Sequence, residues 1–547
     1  MRTRLSFGAR AGLLGMLTAA LALGAGCGDD EGDDGSATGG KAGSGGQPSG
    51  GTSGSGGKQT TGGTTSSAGE TGEGGDTGDA GAPGEPTAGE AGAGGAAGEA
   101  GAPGAAGEAG AGGMGPMPRT DRDRVVVRLT ADGELDDDFA DGGLFVLDVD
   151  GLELNDNARN GFVQPDGKIL SAGYTPVEGS NQIVLIRLND DGSPDTDFSE
   201  DGVARVAALA APGMAEAYGA ALQSSGRYVT TGYGRAEAAG AVDLVSFGFS
   251  PEGELDTDFG TNGGFLLDIA GDNDRGRNVA VLPDDFLLHV GSGMAEAENI
   301  DAMLVVQDPD GNAVESFGQG GFELYDFDRP DEAFFGVAVS PDGDRAIAVG
   351  YTAFPSTSNP DMEDDDSLVA VLGIGEDGEV TPDFVDVVPL SEDENDRLWG
   401  ATIDADGNLY AAGVLGSGTD NQMVLVRITP DGELDESFGE DGLAVLNVVE
   451  GGATETARAV AVQSDGKIVI AGHAEHDPDA EYPDADLVVA RFDADGTLDE
   501  TFGEDGVAIV DLGPGAENVN DLLWNVDVDD DDRIVLFASK KAADPAP

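Results

Sequence analysis

The sequence predicts an all-β fold, a seven-bladed β-propeller over residues 120–547. Two recurring motifs support this prediction. The first motif, seen in Asp431–Gly439, contains a phenylalanine that recurs at intervals of 54 to 67 residues: Phe139, Phe198, Phe259, Phe317, Phe384, Phe438 and Phe502. The second, seen in Gln463–Gly472, also occurs seven times and places a glycine turn between two apolar runs, as in a β-hairpin. A repeat of this length is typical of one four-stranded propeller blade.

Each repeat contains four predicted strands. In one repeat these are, in order, Gly442–Val448, Arg458–Gln463, Lys467–Gly472 and Leu487–Phe492. The first predicted strand of the chain, Val125–Leu129, is a fourth strand, and the last, Arg533–Phe537, is a third strand. Because an open sheet edge invites aggregation, we expect these two strands to pair, so that the N-terminal strand closes the last blade. A β-helix is the alternative fold, but its coils are shorter than these repeats.

The recurring phenylalanines and the turns have separate structural roles in this prediction. Aromatic residues at a structural period usually pack, so we expect the seven phenylalanines to wedge between blades. Segments such as Asp493–Gly496 and Asp404–Gly407 begin like calcium loops but lack the remaining ligands of an EF-hand. We interpret them as turns in which Asp bonds nearby backbone and Gly takes positive φ.

Both motifs, in the forms Asp431–Gly439 and Gln463–Gly472, resemble the bacterial delta-60 repeat family. The resemblance extends over about residues 120–547 and departs from the pattern where Val314 and Thr381 replace the position of Asp435. It implies a propeller-like all-β domain in a secreted or surface protein. It implies no catalytic residues, and none are assigned.

Residues 1–27 have the pattern of a lipoprotein signal peptide. A charged start is followed by the apolar stretch Leu13–Leu23 and by small residues that end at Cys27, the single cysteine of the chain. This segment resembles a lipobox in which Gly24 holds the usual Leu position. We therefore predict lipidation of Cys27 and anchoring in the outer membrane, on its periplasmic or cell-surface side; secretion with an unmodified thiol is the alternative.

Residues 28–119 are predicted to be a flexible tether. The segment is rich in Gly, Ala, Ser, Thr and Glu and has almost no large apolar residue, so it cannot bury enough surface to fold by itself. Glycine falls at every third position from Gly89 to Gly113, which is the collagen period. A trimeric triple-helical stalk is therefore the alternative to a disordered tether, although the segment contains few prolines.

The composition is strongly acidic, with 105 Asp and Glu against 27 Lys and Arg and a net charge of −78. This excludes nucleic acid as a partner, because its binding needs clustered Lys and Arg. Three explanations of the acidity remain: a solvated, salt-tolerant surface, calcium binding, and a binding face for cationic partners.

Candidate metal ligands lie in acidic segments and in one histidine-containing loop. One calcium ion per blade through the recurring Asp of the first motif is excluded, because Val314 and Thr381 replace that residue in two repeats. The candidates that remain are Asp364, Asp365, Asp366, His473, His476, Asp477, Asp529, Asp530 and Asp531.

The sequence favours a binding or scaffolding module over an enzyme. Three histidines and no nucleophile motif supply no recognisable catalytic constellation. Variable connections gather on one face of the predicted ring, where they are either a binding surface or solvent loops. We therefore expect a monomeric, lipid-anchored envelope propeller that binds an envelope protein or glycan. The alternatives are a metal-dependent hydrolase with its site in the propeller tunnel and a structural spacer.

Overall fold

The computed structural model describes residues 122–149, 155–177, 180–296, 299–327, 329, 331–353, 365–391, 394–416, 421–449, 453–475, 484–513 and 520–541. The predicted signal peptide and tether, with Cys27, lie outside these ranges, as do Asp364, His476 and Asp477. The described residues form 28 β-strands and two 3-10 turns, Pro283–Asp285 and Glu376–Gly378. Within them, we find no helix with the length and apolar character needed to cross a membrane.

The strands form antiparallel groups of four, which we call units I to VII. Five sheets have four strands, and an eight-stranded sheet consists of units III and IV, joined by one parallel pairing of Ile300 with Asp331. The inner strands of units I to VII are β3 (Asn157–Val163), β7 (Met214–Leu222), β11 (Arg275–Val281), β15 (Asp331–Val339), β19 (Asp396–Ile403), β23 (Glu455–Val462) and β27 (Leu522–Val528). The inner-middle strands are β4 (Ile169–Val177), β8 (Tyr228–Arg235), β12 (Leu287–Glu296), β16 (Arg345–Ala353), β20 (Leu409–Leu415), β24 (Ile468–Glu475) and β28 (Ile534–Lys541).

The remaining strands complete each unit on its outer side. The outer-middle strands are β5 (Ser180–Leu188), β9 (Asp243–Phe249), β13 (Asn299–Gln307), β17 (Asp366–Ile374), β21 (Gln422–Ile428), β25 (Ala485–Phe492) and β1 (Arg122–Leu129). The outer strands are β6 (Val203–Val206), β10 (Gly264–Leu267), β14 (Phe322–Tyr325), β18 (Val380–Val387), β22 (Leu443–Leu446), β26 (Val507–Val510) and β2 (Leu144–Leu147). The strand predicted second in each repeat is thus the inner strand.

Unit VII is assembled from both ends of the described region. Strand β1 pairs antiparallel with β28, from Arg122 opposite Lys541 to Leu129 opposite Ile534. The pairing that the sequence predicted between the first and last strands is therefore present. It satisfies the backbone donors and acceptors along the edge that β28 would otherwise expose.

The recurring phenylalanines pack between neighbouring units, as predicted. Phe502 is fully buried, and a Cβ atom added to Gly133 in the next unit would lie 2.7 Å from its ring. Gly133 also has a φ of +86°, so both conformation and close approach require glycine there. Equivalent contacts, each to a turn glycine of the following unit, are made by Phe139, Phe198, Phe259, Phe384 and Phe438. The turn interpretation of Asp493–Gly496 is confirmed, since Asp495 Oδ1 accepts a hydrogen bond from Thr497 N at 3.1 Å.

Every inner strand described contains a β-bulge against its inner-middle neighbour. In unit VI the register shifts between Ala457 and Ala459, which leaves Arg458 as the extra residue. Gly472 lies opposite Ala457, and a Cβ atom there would lie 1.7 Å from Thr456 O. Glycine is therefore required by steric contact at this position in units I to VI, whereas unit VII has Ala538.

Candidate functional site

The inner strands surround a cavity of about 740 Å³. All seven of them contribute to its lining, which runs from the bulge residues to turns such as Asp404–Asp406 and Gln463–Gly466. The volume is in the usual range for a small-molecule site, which is roughly 300–1,000 Å³. These turns belong to the face that carries the repeated motifs. Our sequence-based candidate was the opposite face, and part of each of its variable connections lies outside the described residues.

The bulge residues form a closed ring of side chains at one end of the cavity, which we call the bulge ring. Its members are Arg159, Tyr218, Arg277, Phe335, Trp399, Arg458 and Trp524. The Arg159 guanidinium lies 4.6 Å from the ring centroid of Tyr218 and 4.2 Å from that of Trp524. Arg458 likewise lies 4.3 Å from Trp399 and 6.0 Å from Trp524. These are cation–π distances.

The rest of the bulge ring continues in the same way. The Arg277 guanidinium lies 5.5 Å from the Tyr218 ring and 4.9 Å from the Phe335 ring. Phe335 meets Trp399 edge to face, with ring centroids 4.9 Å apart. Each member therefore contacts both neighbours, so that three guanidinium groups are held among four aromatic rings. The bulge produces this arrangement, since the extra residue of every inner strand is directed to the same level of the cavity.

Side chains of the inner-middle strands support the bulge ring from behind. Arg159 Nη2 donates to the Tyr174 hydroxyl at 3.0 Å, and the Tyr218 and Tyr233 hydroxyls are 2.8 Å apart. Trp524 Nε1 donates to Ser539 Oγ at 3.1 Å. Burial raises the pKa values of Tyr174 and Tyr233 well above the usual value for tyrosine, so both hydroxyls stay protonated. The supporting residues therefore fix ring orientation without adding charge.

His473 lies in this supporting layer, beside Arg458. Burial, with smaller contributions from the positive charges of Arg458 and Arg122, lowers the pKa of His473 to about 3. Neither of its ring nitrogens has a hydrogen-bond partner. A neutral imidazole can ligate a metal ion, but the two arginines disfavour a cation at this position. Its predicted companions His476 and Asp477 lie outside the described residues.

Most of the other predicted metal ligands that the structure describes lie beside an arginine. Asp365 Oδ2 accepts a hydrogen bond from Arg397 Nε at 3.0 Å, and Asp366 Oδ2 lies 2.8 Å from Arg329 Nη2. Asp529 Oδ2 lies 2.6 Å from Arg533 Nε, while Asp530 and Asp531 are exposed. Among the described residues, none of these acids belongs to a group of three carboxylates that could hold a metal ion.

The recurring Asp of the first motif also forms an ion pair with an arginine. Asp499 Oδ2 lies 2.7 Å from Arg491 Nε and 2.5 Å from Lys467 Nζ, and the Arg491 guanidinium lies 4.9 Å from the Phe502 ring. The same contacts of Arg, Asp and Phe occur at Asp136, Asp195, Asp435 and Asp499, whereas in unit II Asp256 pairs with Arg227, which directly precedes the inner-middle strand β8. This residue therefore holds the turn to the strand, and it needs no metal ion to balance its charge.

Sequence reasoning missed the bulge ring. Trp399 and Trp524 stand within or just before second predicted strands, where the sequence alone predicts that they pack, and no motif distinguishes the three arginines. The available signal was positional: in every repeat a large aromatic or arginine residue occupies one equivalent place in the second predicted strand. That signal becomes meaningful only when the direction of the side chain is known.

Part of the sequence matches a family model. The family described as "Domain of unknown function (DUF5122) beta-propeller" matches residues 164–198, 405–438 and 463–502. Each matched segment runs from the glycine turn of the second motif to the phenylalanine of the first. A search of curated proteins gave no match.

Solved structures of several kinds are similar to the chain at low identity. A streptogramin B lyase is 11% identical with a TM-score of 0.35, over 71% of this chain and 93% of that one. An α-L-arabinanase from Penicillium chrysogenum, complexed with arabinobiose, is 13% identical with a TM-score of 0.36, over 62% and 94%. Sqt1 from Chaetomium thermophilum is 10% identical with a TM-score of 0.32, over 72% and 100%. These values support no assignment of activity. The matched segments and the four-stranded units together support a β-propeller repeat family for this chain.

Proposed function

We propose that the protein is a lipid-anchored propeller of the cell envelope that binds a small organic acid in the inner-strand cavity. In this proposal units I to VII are seven blades, and the pairing of β1 with β28 closes the ring within the last blade. Contacts between successive inner strands support the ring, because β27 contacts β3 just as each earlier inner strand contacts the next. The protein acts as a monomer.

The anchor in this proposal is Cys27, with residues 28–119 as the tether between the outer membrane and the propeller. Its support is the sequence pattern of residues 1–27. Labelling of growing cells with radioactive palmitate tests it directly. Label should enter the wild-type protein and be absent from Cys27→Ala. Equal labelling of both proteins would contradict anchoring at this residue.

The bulge ring is the observation that carries the proposed ligand class. Three arginines meet at one end of the cavity in a chain whose net charge is −78. Planar guanidinium groups bind carboxylates and phosphates with two hydrogen bonds, and neighbouring aromatic rings offer apolar faces to the same ligand. The Nε atom of Arg277 is buried and makes no hydrogen bond, so a donor is available there.

The other end of the cavity lining is acidic. Asp404, Asp406 and Asp465 lie there, in turns that follow inner strands. A ligand that places an acid group at the arginines and hydroxyl or amino groups toward these carboxylates matches both ends. We therefore propose hydroxy acids and amino acids, such as acidic sugars, as the ligand class. This is consistent with a glycan of the envelope as the natural partner.

Tryptophan fluorescence provides a specific assay, because the only two tryptophans of the chain, Trp399 and Trp524, both belong to the bulge ring. On the full chain, iodide should quench this fluorescence more strongly than caesium, because three guanidinium groups lie against the rings although the net charge is −78. Stronger quenching by caesium would refute the proposed anion site.

Variants sharpen the assay. Arg159→Gln combined with Arg277→Gln should reverse the order of the two quenchers. Arg205→Gln removes one positive charge on outer strand β6, where Arg205 pairs with Asp201, and should leave the order unchanged. Titration with glucuronate, compared with neutral glucose, then tests the ligand class. A fluorescence change with glucuronate alone supports it, and an identical response to both sugars contradicts it.

The alternative of a metal-dependent hydrolase in the tunnel has less support. In the described part of the chain, the groups of three carboxylates that could hold a metal ion all lie away from the cavity lining. Asp404, which does line the cavity, accepts hydrogen bonds from the backbone of Asp406 and from Asn408 Nδ2 at 2.9 Å and 2.6 Å. The arrangement therefore favours binding over metal-assisted hydrolysis.

A further inference from the structure

A buried acid stands immediately before or at the start of every inner strand that the structure describes. These acids are Asp156, Glu216, Asp274, Glu332, Asp396, Glu455 and Asp521. Most of them accept hydrogen bonds from the connection that leaves the preceding outer strand. Asp521 Oδ2, for example, accepts from Leu512 N at 2.8 Å, and Glu332 Oε1 accepts from Phe327 N at 3.0 Å. The acid therefore ties the outer edge of one unit to the inner strand of the next.

At four of these junctions two further carboxylates join the buried acid. One comes from the start of the outer-middle strand and one from the first residue after the outer strand. In each described group, one carboxylate oxygen of every member lies within 4.8 Å of those of the other two: Asp123, Asp148 and Asp156; Asp243, Asp268 and Asp274; Asp301, Asp326 and Glu332; Asp486, Asp511 and Asp521. All twelve lie outside the lining of the inner-strand cavity.

The equivalent positions at the other described junctions have lost or neutralised these charges. At the junction of Glu216, Gln182 stands at the start of the outer-middle strand and Ala207 follows the outer strand. At the junction of Glu455, the residues in these two positions are Gln422 and Asn447. With Asp396 they are Asp366 and Pro389, and Asp366 is paired with Arg329. At two of these three junctions both added carboxylates are absent, and at the third the one that remains, Asp366, is paired with Arg329. Two added carboxylates therefore occur together only at the four junctions that form groups of three.

Two of the groups contain buried oxygen atoms that no hydrogen bond satisfies. Glu332 is 1% exposed and its Oε2 atom has no hydrogen-bond partner, although its Oε1 atom has two. Asp521 is fully buried, and its Oδ1 atom also has no partner. Both Glu332 and Asp521 have a carboxylate oxygen within 4.8 Å of the carboxylate oxygens of the other two members of their groups. A buried carboxylate oxygen beside like charges is unfavourable unless a cation or proton balances it.

We propose that these junctions bind calcium ions, most directly at the groups of Glu332 and Asp521 and, by equivalent position, at those of Asp156 and Asp274. The ligand set consists of carboxylate oxygens without histidine or cysteine, which suits a hard cation. Nearby backbone carbonyls and water complete the shell of an ion of this size, whose geometry is flexible. Each ion joins three chain segments: the outer-middle strand, the end of the outer strand, and the inner strand of the next unit. Calcium therefore clamps successive units together.

Isothermal titration of the chelator-treated full chain with calcium chloride tests the proposal. The background is about 0.15 M sodium chloride, which screens surface charges beyond about 8 Å. We expect saturable calcium binding with a reduced number of sites in Asp326→Asn and Asp511→Asn. Both residues are the exposed members of their groups, so neither substitution buries an unpaired group. Glu436→Gln removes an exposed charge outside the groups and should leave the number of sites unchanged.

A thermal melt gives an independent result. Calcium should raise the melting temperature of the full chain more than sodium chloride of equal ionic strength, and the difference should shrink in the double variant Asp326→Asn/Asp511→Asn. An equal effect of sodium, or an unchanged number of calcium sites in the double variant, would overturn the proposal. The iodide and caesium quenching experiment tests only the ligand site in the cavity. A negative result in the calcium experiments would therefore refute the calcium sites without refuting the proposed ligand site.

Discussion

Replacement of Asp499 by Asn should destabilise the fold by about 3 kcal/mol, because it removes one partner of a buried ion pair. Asp499 is 5% exposed and its Oδ2 atom accepts from both Arg491 Nε and Lys467 Nζ. Its Oδ1 atom accepts from Thr501 N at 3.1 Å and Thr501 Oγ1 at 2.6 Å. The neutral amide keeps one acceptor oxygen for Thr501 but leaves the Arg491 guanidinium, also 5% exposed, with only the largely exposed Asp132 carboxylate, 3.8 Å away, to balance its charge.

Unit V provides a matched control for this substitution. Asp435 occupies the equivalent position and pairs with Arg427 at 2.8 Å, but its side chain is 30% exposed and no lysine joins the pair. Asp435→Asn removes the same charge at the same turn, where water can solvate the remaining guanidinium. We therefore expect a cost of about 1 kcal/mol or less there. The difference between the two variants isolates the contribution of burial.

Differential scanning calorimetry of the full chain measures both variants. An unfolding entropy of about 2.1 cal/mol/K per residue, over roughly 400 residues, converts about 3 kcal/mol into a decrease of about 3–4 °C, and about 1 kcal/mol into about 1 °C. Equal decreases for the two variants, or a larger decrease for Asp435→Asn, would refute the reasoning from burial. Asp499→Asn should also cost less in an Arg491→Met background, since no guanidinium is then left unpaired.

Three further predictions concern other parts of the fold. Burial, with smaller contributions from Asp486, Asp484 and Asp511, raises the pKa of Asp521 from 3.8 to about 8, so its contribution to stability is complete below about pH 4 and is lost as the pH rises through about 8. As the pH of chelated protein rises from about 4 to about 8, melting temperatures of Asp521→Asn should therefore fall less than those of the wild type; parallel curves would contradict this. Gly472→Ala should cost about 1–3 kcal/mol by steric overlap with Thr456 O, and Ala538→Gly about 1 kcal/mol or less, as urea unfolding of each variant can show. Phe502→Ala should lower the free energy of unfolding by about 3–5 kcal/mol in the same assay. Phe384→Ala should lower it less, because Phe502 is fully buried and Phe384 is half-buried. The reverse order would contradict the claim that packing of these phenylalanines between units stabilises the fold.

The calcium sites and the bulge ring would give two regions near the start of the inner strands different roles. The carboxylate groups lie at junctions between units, where binding of an ion changes stability. The ring lies at one end of the inner-strand cavity, where guanidinium and aromatic groups are presented to a ligand. Chelation should therefore lower the melting temperature of the protein while the order of iodide and caesium quenching stays the same at a temperature well below the melt. A reversal of that order on chelation would show that the two regions are coupled.

Local sequence determined the repeat and its strands. Glycine at positive φ and Asp side chains that bond nearby backbone specify the turns within a few residues, as at Asp495 and Gly496, and apolar runs between the turns specify the strands. The recurring phenylalanines and the pairing of the first strand with the last were also predictable. Both follow from a pattern that repeats along the chain and from the need to pair a free strand edge.

Only the tertiary structure decided which polar residues meet. A bulge changes the direction of one side chain without changing the apolar pattern, so the sequence showed Arg458 in a strand but not at the cavity. Each carboxylate group combines residues from two neighbouring units, and Asp365, which the sequence offered as a metal ligand, is balanced by Arg397 from the next unit. These partners are separated by tens of residues along the chain. Their meeting depends on how the units pack, which a local pattern does not encode.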